Sequence, residues 1–326
     1  MNPHGNLSLY YGKSCERGLS VKDFTGKLTV SALEKEYGYM ITCKGVHKEF
    51  NGNTVLNEIS FQVAKGEIFG LLGPSGAGKT TLIKILTGQL KKDAGEVRIL
   101  DKEVSALTGK DHNRIGIMMD QFGVYERFSC MENLKIFADI YGVSHQNAQM
   151  ALSDVGLEDA AGIMASKLSK GMRSRLSLAR VFMTNPQIIF LDEPTSGLDP
   201  ATSEVIHKLI LKKREEGCTL FLTTHNMQEA AKLCDHIALL NEGKIVEYGK
   251  PDELCRKYDH QKVIHIHLRD GREETLDYSA TSADRLCLLM KEGRLETIHS
   301  AEPDLESVFM ELTGRKLKDE TVCEIL

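Results

Sequence analysis

The sequence predicts an α/β fold. A mostly parallel sheet is covered by helices on both faces, an antiparallel β region and a helical region are attached to it, and a small α+β appendage follows. Three observations predict this. "EIFGLL", residues 67–72, runs straight into a glycine-rich loop and then into the helical pattern "KTTLIKILTGQL". "QIIFL" and "TLFLTT" are apolar runs of strand length, each followed by a helical segment. Strands that alternate with helices in this way pair in parallel. The length, 326 residues, suits one large domain plus an appendage.

Residues 1–38 are rich in Gly, Ser and Lys, lack a periodic apolar pattern, and read as a loosely ordered extension. From about Met40, "MITCKGVHKEF", the turn "NGN" and "VLNEISFQV" read as strands of an antiparallel meander. A helical region is expected over about 122–168. Within it Leu134, Phe137, Ala138 and Tyr141 recur at i, i+3, i+4 and i+7. A helix near 170–184, the strand "QIIFL", a helix from about Thr202 to Glu216, the strand "TLFLTT" and a helix from Met227 follow. "HIALLNEGKIVEYG" then forms a hairpin about Asn241–Gly243, and these elements make one unit over 39–250. The texture changes after Pro251, and 251–326 is expected to be the small α+β unit. There "KVIHIHL" and "EETLDY" flank an Asp-Gly turn, and Leu305, Val308, Phe309 and Leu312 share a helical face. His265 and His267 lie on one face of a strand. Two histidines without a third convergent ligand hold metals poorly, so a solvent-facing edge is expected.

With 41 Lys and Arg against 46 Asp and Glu, the net charge is -5, which argues against a general affinity for nucleic acid. Eight cysteines, without a CxxC pair, read as buried, reduced thiols. No run of about 18 apolar residues exists to span a bilayer, and the N-terminal residues do not read as a signal peptide. The last four residues fit a prenylation box poorly because Glu324 stands where an aliphatic residue belongs. A cytoplasmic protein docked onto a partner is the expectation.

"GPSGAGKT", residues 73–80, fits G-x-x-x-x-G-K-[ST] between a strand and a helix. Gly73, Gly76 and Gly78 let the backbone curl so that its N–H groups form an anion nest, to which the helix adds its positive end. Lys79 offers a charge to the β- and γ-phosphates of a nucleotide, and Thr80 a hydroxyl to Mg2+. Pro74, Ser75, Ala77 and Thr81 complete the ATP-contacting stretch. In "IIFLDEPTSGLDP" an apolar strand ends in Asp192 and Glu193, which places both carboxylates at the carboxyl edge of the sheet. Asp192 suits Mg2+ binding through water, and Glu193 the polarisation of an attacking water.

Taken in order, these motifs resemble the nucleotide-binding subunit of an ATP-binding cassette (ABC) transporter over about Met40 to Gly249, a P-loop NTPase fold. The resemblance implies further roles. Phe50 matches the aromatic that stacks on adenine. Gln121 matches the glutamine that senses Mg2+ and the attacking water. Asp199 matches a loop that communicates across a dimer, and His225 the histidine that grips the γ-phosphate. "LSKGM" stands at the signature position, normally Leu-Ser-Gly-Gly-Gln, so Ser169, Lys170, Gly171 and Met172 would meet the nucleotide of a second, identical subunit. Ser169 would cap a helix there, and the basic residues behind it would be helix surface. The implied partner is an integral membrane permease encoded separately. The tail "EPDLESVFMELTGRK" and the "LSKGM" variant are similar to ATPases of bacterial ABC-2-type exporters of drugs, antibiotics and peptides. A non-transport ABC ATPase, or a nucleotide-dependent switch with little hydrolysis, is the alternative.

Overall fold

The computed structural model describes residues 38–119, 123–259, 262–300 and 303–314. The residues of 1–37, the final Cys-Glu-Ile-Leu and Gln121 therefore lie outside the described residues.

β1 (Tyr39–Phe50) and β2 (Asn53–Ala64) form a hairpin. Its turn residues Asn51 and Gly52 have φ of 50° and 85°, a geometry that the Asn-Gly pair favours. The chain then crosses to the main sheet as β3 (Ile68–Leu72) and helix α1 (Lys79–Leu86) before returning as β4 (Ala94–Ile99) and β5 (Lys102–Glu103). The antiparallel sheet has the order β2-β1-β4-β5, so it is a hairpin with a later strand added beside β1, not the expected meander. Helix α1 is shorter than its apolar pattern, because Gly88 turns the chain just past Thr87 with φ of 75°.

α2 (Gly109–His112) leads to β6 (Ile115–Met118). The helical region contributes α3 (Cys130–Tyr141) and α4 (His145–Asp154), and α5 (Lys170–Phe182) brings the chain back to the sheet. β7 (Ile188–Asp192), α6 (Pro200–Glu215), β8 (Thr219–Thr224) and α7 (Met227–Leu233) follow, then the hairpin β9 (His236–Asn241) and β10 (Lys244–Gly249). α6 starts earlier than its apolar pattern because Asp199 caps it and Pro200 fills its first position.

The main sheet has the order β10-β9-β3-β8-β7-β6 and is parallel except for β10. Every residue of β3, β7 and β8 is buried, which explains their continuous apolar sequences. Alternate residues feed two cores. Phe69, Phe190 and Phe221 face α1 and the antiparallel sheet, where Phe69 stacks on Phe61 at 5.0 Å and on Phe221 at 5.3 Å. Ile189, Leu191, Leu220 and Leu222 face the helical side. Each large side chain withdrawn from water here contributes about 1.5–3 kcal/mol.

After α8 (Pro251–Lys257), β11 (Val263–Leu268), β12 (Glu273–Asp277) and β13 (Leu295–Ser300) form a third sheet covered by α9 (Ala280–Lys291). Its core is small, built on Ile266, Leu268 and Leu289. α10 (Leu305–Thr313) does not belong to it. Leu305, Val308 and Phe309 join Leu254 of α8 in the core of the main sheet, so the tail helix returns to the larger body. β11 is the central strand of its sheet and not an edge, and His265 is exposed on its outer face beside His299. Cys43, Cys130, Cys218 and Cys234 are buried as expected, whereas Cys287 is exposed on α9.

Candidate active site

Three neighbouring parallel strands end together. Leu72 of β3 lies beside Thr224 of β8, and Thr223 lies beside Asp192 of β7. The loop after β3, His225 after β8 and Glu193 after β7 therefore share the carboxyl edge of the sheet, where open α/β sheets bind ligands.

The loop is shaped by close approach. A Cβ on Gly73 would overlap the carbonyl oxygen of Leu240 in β9, so glycine alone fits. Gly78 precedes α1 with φ of 107° and rests on Val55 and Leu56 of β2. The first N–H groups of α1 have no intrahelical partner and present donors to an anion. Lys79 is buried. Its Nζ donates to the carbonyl oxygens of Gly73 at 2.7 Å and Pro74 at 3.2 Å and lies 3.1 Å from Glu193 Oε1. Thr80 donates its hydroxyl to Asp192 Oδ2 at 2.8 Å, while the Thr223 hydroxyl holds Asp192 Oδ1 at 2.5 Å. A hydroxyl beside a buried carboxylate is the oxygen donor set that a hard divalent cation takes, and it fits Mg2+.

Glu193 has a left-handed backbone, φ 52°, and its N–H donates to the Thr223 carbonyl at 3.1 Å. Its Oε2 lies 2.6 Å from His225 Nδ1. Burial pushes the Glu193 carboxyl up, but the hydrogen bond from His225 and the charge of Lys79 together outweigh it and hold its pKa below the ordinary value. The hydrogen bond to Glu193 in turn raises the pKa of His225, against a smaller opposing effect of burial. A carboxylate is thus held between the Lys79 ammonium and the His225 imidazole at the mouth of an anion-binding loop.

Residues 56–196 match the ABC transporter family. The fluoroquinolones export ATP-binding protein MT2762 of Mycobacterium tuberculosis is 40% identical over 79% of this chain and 87% of its own length. Nod factor export ATP-binding protein I of Bradyrhizobium diazoefficiens is 35% identical over 84% and 96%. The linearmycin resistance ATP-binding protein LnrL of Bacillus subtilis is 29% identical over 86% and 100%. Among solved structures, the dimeric post-hydrolysis state of the ATP-binding cassette MJ0796 bound to ADP and Pi matches with a TM-score of 0.59 and 28% identity, covering 65% of this chain and 98% of that one. The ADP conformation of the cassette MJ1267 matches with a TM-score of 0.61 and 25% identity, covering 66% and 92%.

The chain belongs to the ATP-binding subunits of ABC transporters.

It is an ATPase, and the remaining residues can be located on the cassette. Ser169 caps α5, its Oγ accepting the Met172 N–H at 3.2 Å. Lys170 is exposed at the start of α5, with its Nζ packed over Gly197 of the loop that follows β7. Gly171 abuts Thr202 of α6, and Met172 packs against the core of the helical side. The arginines behind the signature are not a merely solvated face. Arg175 donates to the carbonyls of Val155 and Gly156, and Arg180 donates to the Gly123 carbonyl and lies over the Phe137 ring. Guanidinium groups carry enough donors to close such loops. Asp199 caps α6 by accepting the Thr202 hydroxyl and N–H, bonds that lower its pKa. Phe50 is exposed at the tip of the β1–β2 hairpin with Lys48 Nζ 5.0 Å from its ring centre. Ser75 is exposed, Ala77 is buried and Thr81 is half-buried on α1. No motif marks Thr223, the second partner of Asp192; only the register of β7 against β8 brings it there.

Proposed function

We propose that this cassette hydrolyses ATP, bound with Mg2+, at sites formed between two copies of the chain, and so drives a separately encoded permease that exports a drug, antibiotic or peptide. The observation that carries the chemistry is the convergence of Lys79, Glu193 and His225 within ion-pair distance where β3, β7 and β8 end. The loop of Gly73–Thr81 binds the phosphates, with Lys79 as the cation between β and γ. Thr80 and Asp192, with Gln121, would hold Mg2+, which when bound neutralises phosphate charge. Phe50 stacks on the adenine. As the phosphates engage Lys79 and His225, Glu193 loses the two partners that hold its pKa down. Burial, the largest influence on that carboxyl, then acts alone and raises its basicity. Glu193 accepts a proton from water as the water oxygen attacks the γ-phosphorus, and the leaving oxygen remains on ADP.

The signature at Ser169–Met172 lies on a helix start whose donors suit a phosphate of the second copy, and Asp199 holds Thr202, the residue that Gly171 of that helix abuts. The exporter names of the relatives support an exporting role, and the dimeric relative supports pairing. Among the described residues no helix is long and apolar enough to cross a membrane, which favours a subunit seated on the inner face of the membrane through its permease. The catalytic body is read as 39–250. Glu193→Gln tests the reading. ATP binding should persist while turnover falls about 10²–10⁴-fold, the usual worth of a general base. Near-parent hydrolysis by this variant, measured as phosphate release, removes Glu193 from the role.

A further inference from the structure

Beside the Lys79–Glu193–His225 network lies a cavity of about 400 Å3 whose walls include Glu193, Ser196, His225 and Glu229. Glu229 is 2% exposed and sits in the first turn of α7, whose cap Asn226 directly follows His225. Its Oε1 accepts the Thr195 hydroxyl at 2.6 Å and lies 3.0 Å from His207 Nε2, which that pairing sets as a donor. Its Oε2 and His207 Nδ1 are buried with no hydrogen-bond partner among the described residues. Glu204 stands 3.8 Å from His207 Nδ1 and is itself paired with Lys232.

A buried carboxylate with an orphan oxygen costs stability, and a well-packed apolar residue of similar size would cost less. Such a group is worth asking about when it fixes a geometry. Here Thr195 is two residues beyond Glu193, in the loop that ends at the α6 cap, and Glu229 is four residues beyond His225. The loop needs fixing, because Glu193 holds a left-handed backbone that a non-glycine residue resists. The Glu193–His225 and Thr195–Glu229 bonds are both between side chains; the one between Thr195 and Glu229 ties the loop that carries Glu193 to the first turn of the helix that follows His225.

We propose that Glu229, backed by His207, is a positioning residue for hydrolysis that acts through Thr195, tying the loop of Glu193 to the helix of His225 so that base and imidazole stay aligned. This rests on the roles proposed above for those two residues.

The test uses the full chain with Mg2+ and ATP. Thr195→Val removes the hydroxyl at constant shape, Thr195→Ser keeps it, and Glu229→Gln keeps an acceptor for it. Thr195→Val should lower kcat roughly 10–100-fold, the scale of a small misplacement of reacting groups, while the Kd for ATP stays within about twofold. Thr195→Ser and Glu229→Gln should each recover most of that loss, and Glu229→Leu should match Thr195→Val. A kcat for Thr195→Val within about twofold of the parent overturns the proposal, as does a loss that appears equally in kcat, ATP affinity and thermal stability. Glu193→Gln, run in parallel, separates the two readings. If it abolishes turnover and Thr195→Val does not, only the positioning role fails; if it leaves turnover intact, the reading of the site fails first.

Discussion

Glu193 and His225 each hold the other's charge in place, and this has a pH signature. The carboxyl is depressed, so its contribution to stability is full above the ordinary Glu value and is lost as pH falls through the depressed one. The imidazole is raised, so its contribution is full below the ordinary His value and is lost as pH rises through the raised one. The pair therefore contributes fully between about pH 4.3 and 6.5 and declines on both sides. Because the hydrogen bond to Glu193 is the largest cause of the His225 shift, Glu193→Gln should move the His225 titration to lower pH. The ring C2 proton followed by NMR reports this, and an unmoved titration contradicts the geometry. Residues whose neighbours are fixed by local backbone were legible in the sequence. The loop of Gly73–Thr80 is one case, and Asp192–Glu193 at the end of an apolar strand is another. Thr223, Glu229 and His207 were not, because their partners arrive through strand register and helix packing across the chain.

The signature helix α5 meets α6 closely at Gly171. A Cβ on Gly171 would overlap Thr202 Cγ2, and Thr202 has no freedom to rotate because Asp199 holds its hydroxyl at 2.6 Å. Gly171→Ala gains at most about 1 kcal/mol of helix propensity but incurs overpacking of about 1–3 kcal/mol, so the clash wins. The variant should be less stable in thermal denaturation, and Thr202→Ser, which removes the methyl and keeps the hydroxyl, should restore it. A stable Gly171→Ala would mean that α5 and α6 slide apart easily. The helices themselves were readable from apolar spacing, with Ser169 as a cap, whereas the caps Ser129 and Asp199 became visible only in the structure. What spacing does not convey is why position 171 is glycine. The pattern alone suggests a phosphate neighbour, and the packing adds a neighbouring helix.

Two predictions belong to the whole molecule. Lys79→Ala and Ser169→Ala should each silence a homodimer. If the sites form between two copies as proposed, mixed dimers of the two hold one site with both defects and one intact site, so mixing equal amounts should return roughly a quarter of the parent rate when one site suffices. Absence of both turnover and ATP occlusion on mixing would place "LSKGM" on the surface of its own chain. The second concerns the tail helix. Phe309 is fully enclosed against the main core, so Phe309→Ala should cost about 3–5 kcal/mol in chemical denaturation, against little for the exposed Met310→Ala. Strands β3, β7 and β8 were legible because they are continuous apolar runs, and the hairpin β9–β10 because of its turn, whereas the short edge strand β6 was not. The destination of α10 was not, since an amphipathic face does not say which core it completes.

That destination changes what the third sheet is. α8 and α10 pack against each other within the larger body, and the strands β11–β13 with α9 lie between them in the chain. The small unit is therefore an insert held at both ends by its host, its entry and exit side by side. Units attached in this way can be exchanged or excised without tearing the framework that carries them, because the two cut ends already meet. A tail attached by one tether would offer no such seam.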